Sequence, residues 1–179
     1  LLLSLAGTAA DIGYYAVAAT SALTVAIVGE SLGLHLFQRV ARESDVGVQR
    51  RLSQRYLLGT LGLSTLIGLV FWVLAPWLIP CVYGGDFSPA VTPARILVIG
   101  GMFVSSSRLL GEVLKALGSP RAVAVAELLG AGLTLAGLVL FGVDSLVVVA
   151  WVAVAGYGAT AVIEIMLASR AFRLQRTHL

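Results

Sequence analysis

A chain of 179 residues with 59% apolar and only 12% charged residues cannot keep a folded surface wet, so its composition excludes a soluble domain and makes lipid the solvent. The net charge of +3 comes from Lys and Arg spread over several chain breaks, which argues against one basic face for nucleic acid. Cys81 is the only cysteine, and His35 and His178 lie far apart. No HExxH, GxSxG, Walker A or GxGxxG element occurs, so no metal site, cofactor or enzymatic chemistry is expected.

A bilayer core about 30 Å thick takes about 20 helical residues per crossing. In chain order, five segments meet that requirement, roughly residues 12–38, 56–79, 94–114, 121–141 and 145–169. Residues 1–10 read as the end of a preceding span. The expected fold is therefore all-α: a polytopic transmembrane helical bundle, one membrane domain over residues 1–179, with five complete spans and an N-terminal helix stub. Entry in mid-helix on Leu1-Leu2-Leu3 reads as a piece of a longer protein whose N-terminal part is missing.

The breaks between spans alternate in charge. The first carries Asp11, and the second Arg39, Arg42, Arg50, Arg51 and Arg55. Asp86 marks the third, Lys115 and Arg121 the fourth, Asp144 the fifth, and Arg170, Arg173 and Arg176 the tail. Basic breaks stay on the cytoplasmic side, which predicts a cytoplasmic C-terminus. Aromatic residues follow the same order. Tyr14, Tyr15, Trp72, Trp77, Tyr83, Phe87, Phe141 and Trp151 form an expected outer belt, and Phe37, Tyr56 and Phe172 a thinner inner one. The stretch from about residue 41 to 54 is predicted as the longest soluble loop.

The first complete span divides into two stripes at 100° per residue. Thr20, Thr24, Ser31, His35, Gln38 and Arg42 share one side; Ala18, Ala22, Ala26, Gly29 and Gly33 share the other, the last two as a GxxxG. Small residues let a neighbouring helix approach closely. A row of hydroxyl, imidazole and amide groups is costly against lipid and must face protein or water. The polar stripe is the candidate cavity wall; alternatively the hydroxyls bond their own backbone carbonyls, and His35 and Gln38 sit at the inner interface.

Three ionisable residues lie deeper. Glu30 precedes Arg39 by nine residues, about 13 Å of helix. Arg108 and Glu127 flank the Gly118-Ser119 turn at similar distances and come level in an antiparallel hairpin, so they are expected to pair; Glu112 is a competing partner for Arg108. Glu30 has no obvious mate, and an intramembrane carboxylate is what ion-coupled transport needs. Glu30, Arg108 and Glu127 are therefore the ion-coupling or gating candidates; the competing readings are a structural ion pair for Arg108 and Glu127 and a satisfied interior residue for Glu30. Glu164 is expected to snorkel toward the last helix end, and Arg95 toward the outer face.

The run Tyr83-Gly84-Gly85-Asp86-Phe87-Ser88-Pro89-Ala90, the turn Ala116-Leu117-Gly118-Ser119-Pro120, and the segment Gly13-Tyr14-Tyr15-Ala16-Val17-Ala18 resemble the C-terminal half of polysaccharide flippases. These belong to the multidrug/oligosaccharidyl-lipid/polysaccharide exporter superfamily. The resemblance covers nearly the whole chain and rests on structural turns. It implies one lobe of a two-lobe transporter in a bacterial inner membrane, with the N-terminal lobe as partner. The implied activity is alternating-access flipping of a polyprenyl-diphosphate-linked oligosaccharide for surface polysaccharide synthesis. His35, Arg39 and Arg42 would then meet the diphosphate at the inner mouth, and Thr20, Thr24 and Ser31 the sugar hydroxyls. The alternatives are a cation-coupled multidrug exporter of the same superfamily and a non-transporting membrane scaffold or remnant.

Overall fold

The computed structural model describes residues 9–141 and 145–176; most of the predicted stub, Asp144 and His178 lie outside them. The described residues form five α-helices and no strand: α1 (Ala9–Arg42), α2 (Val46–Tyr83), α3 (Val91–Ala116), α4 (Pro120–Phe141) and α5 (Leu146–Arg176). A 3-10 turn, Gly85–Ala90, leads into α3. All five helices are long and apolar enough to cross a membrane. The chain is a multi-pass, all-α helical bundle.

The connections are shorter than the sequence suggests. The stretch 41–54, expected to be a soluble loop, is mostly helix, because α1 runs to Arg42 and α2 starts at Val46. Local hydrogen bonds explain the tight break. Asp45 Oδ1 accepts from the backbone N–H of Gly47 at 2.6 Å and of Val48 at 3.2 Å, capping α2. Gln49 Nε2 donates to the carbonyls of Val40 at 3.1 Å and Glu43 at 2.7 Å, tying off the end of α1. At the other side of the membrane Gly84 takes φ 99°, ψ 159°, open only to glycine without strain. Phe87 then folds edge-on against Tyr14, ring centres 5.6 Å apart. Between α3 and α4, Gly118 sits at φ 76° while Ser119 N–H bonds Leu114 O and Gly118 N–H bonds Lys115 O, a Schellman ending.

α3 is the central helix and packs on α1, α2, α4 and α5. Its most extensive partner is α1, and the contact is built on small residues as the GxxxG predicts. A Cβ on Gly29 would land on the carbonyl oxygen of Ser105, and one on Gly101 would lie 2.6 Å from Ala22 O. Ala18, Ala22 and Ala26 are buried with them. Among apolar tails a hydrophobic drive between helices is absent, so such backbone-close van der Waals packing holds the pair. α4 and α5 use a reciprocal version of the same device. A Cβ on Gly130 would meet Thr160 Oγ1 and one on Gly156 would meet Thr134 Oγ1, while each Thr donates to the carbonyl of the glycine four residues before it.

Two apolar clusters mark the ends. Leu36, Val40, Leu109, Val113 and Phe172 gather where α1, α3 and α5 finish and α2 begins, so the basic breaks share one end. Phe172, expected in an interfacial belt, is buried in this cluster instead. Val17, Ala18, Ile79, Ala94 and Ala150 gather at the opposite end, which carries Asp86.

α2 continues unbroken through Pro76 and Pro80. A proline lacks an N–H, so Pro76 leaves the Trp72 carbonyl without its intrahelical donor. Arg95 Nε donates to that carbonyl at 2.9 Å, and its guanidinium stacks 4.4 Å from the Trp72 ring centre. Arg95 thus binds α3 to α2 at the Asp86 end.

Gly29→Ala is expected to lower stability in detergent by about 1–3 kcal/mol through overpacking, because the Ser105 backbone must retreat. Gly59→Ala, with nothing within 4 Å of the new methyl, should gain about 0.5–1 kcal/mol. Thermal unfolding of the two variants checks both signs. Arg95→Ala should cost about 1 kcal/mol for the lost bond, and distinctly less in a Pro76→Ala background, where residue 76 supplies the N–H. An equal cost in both backgrounds would show that the Trp72 carbonyl does not depend on Arg95.

Candidate functional site: an open polar groove over the central helix

α1 and α5 both lie against α3 and barely touch each other, so a groove runs between them along α3. Toward the Asp86 end it is a recess of about 280 Å³ lined by Tyr15, Ala19, Ala22 and Tyr157 among others. Toward the basic end it widens, with α4 as a further wall, to about 500 Å³. Val104, Arg108 and Tyr157 line both parts, which makes them one channel-like depression.

The wider part is rich in ionisable groups: Glu30, Arg108, Glu112, Lys115, Glu127 and Glu164 all line it. Arg108 does not pair with Glu127. Its Nη1 lies 3.3 Å from Glu30 Oε2, so the carboxylate read as mateless has a partner on α3. Glu112 pairs with Lys115 at 2.7 Å and leaves Arg108 alone. The hairpin argument fails for a physical reason. α4 turns away from α3 after the Gly118 turn and packs on α5 through the glycine–threonine clasp, so Glu127 faces Arg108 across the cavity. α1, drawn onto α3 by Gly29 against Ser105, brings Glu30 within reach of Arg108 one turn further along.

Glu164 also departs from expectation. It does not snorkel: the residue is 1% exposed, and Ser107 Oγ donates to its Oε2 at 2.5 Å. Gly111 lies beside it, where a Cβ would reach only ordinary contact distance, 3.8 Å, from Oε1. A carboxylate buried between two helices is held by a hydroxyl donor in place of water. The helical periodicity of α5 could have placed Glu164 on the same face as Gly156 and Thr160; its distance from the helix end alone could not.

The α1 candidates divide. His35, Gln38, Arg39 and Arg42 come together with Tyr56 of α2 around a recess of about 520 Å³ at the basic end. Neither arginine holds an ion pair among the described residues. Thr20, Thr24 and Ser31 line neither the recess nor the groove and stand on the exposed surface beside them. Thr20 Oγ1 donates to Ala16 O at 2.8 Å and Thr24 Oγ1 to Thr20 O at 3.1 Å, the backbone-bonded alternative.

The Glu30 and Arg108 side chains are 57% and 48% exposed, although Glu30 lies about 13 Å of helix inside Arg39. Charges at that depth are too costly for hydrocarbon. The groove face therefore meets water or polypeptide, while the apolar outer faces of α2 and α4, with Leu66, Trp77, Val139 and Leu140 exposed, meet lipid. Comparison with protein-family models, curated proteins and solved structures finds no match for the chain.

Glu30→Gln and Arg108→Gln should each lower stability, and the double variant should recover a coupling of about 0.2–1 kcal/mol, the range for solvent-accessible pairs. Glu127→Gln should be additive with Arg108→Gln within about 0.3–0.5 kcal/mol. Double-mutant cycles from thermal unfolding decide between them; stronger coupling to Glu127 would overturn the assignment.

Proposed function

We propose that the chain is one lobe of an alternating-access flippase, residing in a bacterial inner membrane with its basic end in the cytoplasm. It moves a polyprenyl-diphosphate-linked oligosaccharide outward together with an N-terminal lobe that closes the other side of the groove. The observation that carries this reading is the basic recess of His35, Gln38, Arg39, Arg42 and Tyr56. Its two arginines hold no ion pair among the described residues, and guanidinium groups bind diphosphate oxygens through paired, charge-assisted N–H donors. Leu34, next to His35, already lines the groove, so an anion captured in the recess has a polar route along α3. The carboxylates and hydroxyls of that route suit sugar hydroxyls, and the lipid tail stays among the exposed apolar side chains.

A second reading has an observation of its own. Four carboxylates with Tyr157 around one cavity also suit an organic cation, as in a multidrug exporter. The mouth distinguishes the two, since a cluster of arginines repels a cationic substrate.

Replacing His35, Arg39 and Arg42 together by Gln should leave the protein in the membrane and make the lipid-linked precursor accumulate in the inner leaflet. Exported glycan should fall more than about tenfold, as expected for losing charged contacts of roughly 1.5–3 kcal/mol each. Normal export with lost resistance to cationic drugs would favour the exporter. No change in either would mean that the recess has no transport role.

A further inference from the structure

A second groove lies on the other side of α3, between α2 and α5, and shares no lining residue with the polar one. α2 and α5 flank α3 with little mutual contact, which leaves Leu110 and Val113 of α3 as its floor. Its volume is about 170 Å³. The α2 wall is graded in polarity. On α2 the lining passes from Arg50 through Ser53 and Gln54 to Leu57; on α5 it runs from Phe172 at the basic end through Ser169 and Ala168 to Ile165 and is apolar apart from Ser169. The polar end of the α2 wall lies at the basic end of the bundle, and its apolar end, with Ile165 opposite, points into the membrane. Arg50 and Leu57 are separated by about 10 Å of helix, comparable to the step from headgroup level to hydrocarbon.

Arg50 is exposed and holds no ion pair among the described residues. Gln54, also exposed, adds an amide donor one turn deeper. We propose that this groove binds one anionic phospholipid of the adjacent leaflet, its phosphate on Arg50 and Gln54 and part of one acyl chain between Leu57 and Ile165. Complementarity to an amphiphile carries the assignment. A cation alone would attract any anion and an apolar cleft any lipid tail, whereas a single groove with both, in this order and at this depth, matches a charged headgroup joined to a chain. The bound lipid fills the gap between α2 and α5 and adds a tie from both helices to α3 where they have little contact with each other. The inference does not depend on the transport reading.

The test is native mass spectrometry of the purified chain in detergent, titrated with phosphatidylglycerol and with phosphatidylcholine carrying the same acyl chains. One phosphatidylglycerol should be retained in preference, and Arg50→Gln should reduce that preference roughly fivefold, the effect of one cation at a membrane surface. Arg55→Gln removes the same charge one and a half turns along α2, outside the groove, and should leave the preference intact. Ile165→Trp should weaken both lipids by filling the acyl end. Glycerol phosphate without chains should not displace the lipid. Equal loss from Arg55→Gln would reduce the effect to diffuse charge attraction, and displacement by glycerol phosphate would mean a simple anion site; either outcome overturns the proposal. Arg50→Gln changes an exposed side chain and keeps the test valid if Ile165→Trp fails to fold.

Discussion

Backbone-close contact between α1 and α3 is the constraint on which the arrangement of this membrane domain depends. Lipid tails are as apolar as leucine, so burying leucines between helices gains little; close van der Waals contact must supply the attraction. Gly29 against Ser105, Gly101 against Ala22 and Gly33 against Leu109 bring the two helices nearer than side chains would otherwise allow. That approach fixes the rotation of α1. Once its small face is turned to α3, Glu30 lies beside Arg108, and His35, Gln38, Arg39 and Arg42 remain outside the contact.

The same principle decides where the polar groove opens. α4 is held to α5 by the Gly130–Thr160 and Gly156–Thr134 contacts and not to the helix that precedes it in the chain. α3 is left with α1 on one flank and α5 on another. The space between them collects ionisable groups from four helices, each of which would be costly alone in hydrocarbon. Within it Glu30 neutralises Arg108, Glu112 neutralises Lys115, and Ser107 satisfies one oxygen of Glu164. The arrangement gathers these polar groups on one face, apart from the apolar outer faces of α2 and α4.

The two ends of the bundle are built differently. At the Asp86 end, aromatic and proline chemistry dominates: Phe87 packs against Tyr14 and Tyr83, and Arg95 repairs the carbonyl that Pro76 orphans. The basic end relies on helix capping by Asp45 and on Gln49, which closes the α1–α2 break in three residues. Short breaks keep α1 and α2 helical beyond the hydrocarbon core and bring Tyr56 next to the α1 arginines.

Sequence by itself determined the number and order of the five membrane helices among the described residues, the gathering of basic breaks at one end and the packing face of α1. These follow from local quantities: hydropathy over about 20 residues, charge between spans, and residue size at helical spacing. The turns at Gly84-Gly85 and Gly118-Ser119 were legible as breaks between spans for the same reason. Which charges meet was not legible. Neighbours in sequence, Arg108 and Glu127 across a short turn, gave way to Arg108 and Glu30, because pairing depends on which helices bring small residues face to face. The burial of Glu164 and Phe172 and the exclusion of Thr20, Thr24 and Ser31 from the groove have the same origin. Hydropathy tells a helix that it belongs in the membrane; only the interlocking of glycines, alanines and threonines across helices decided which of its faces meets lipid, protein or water.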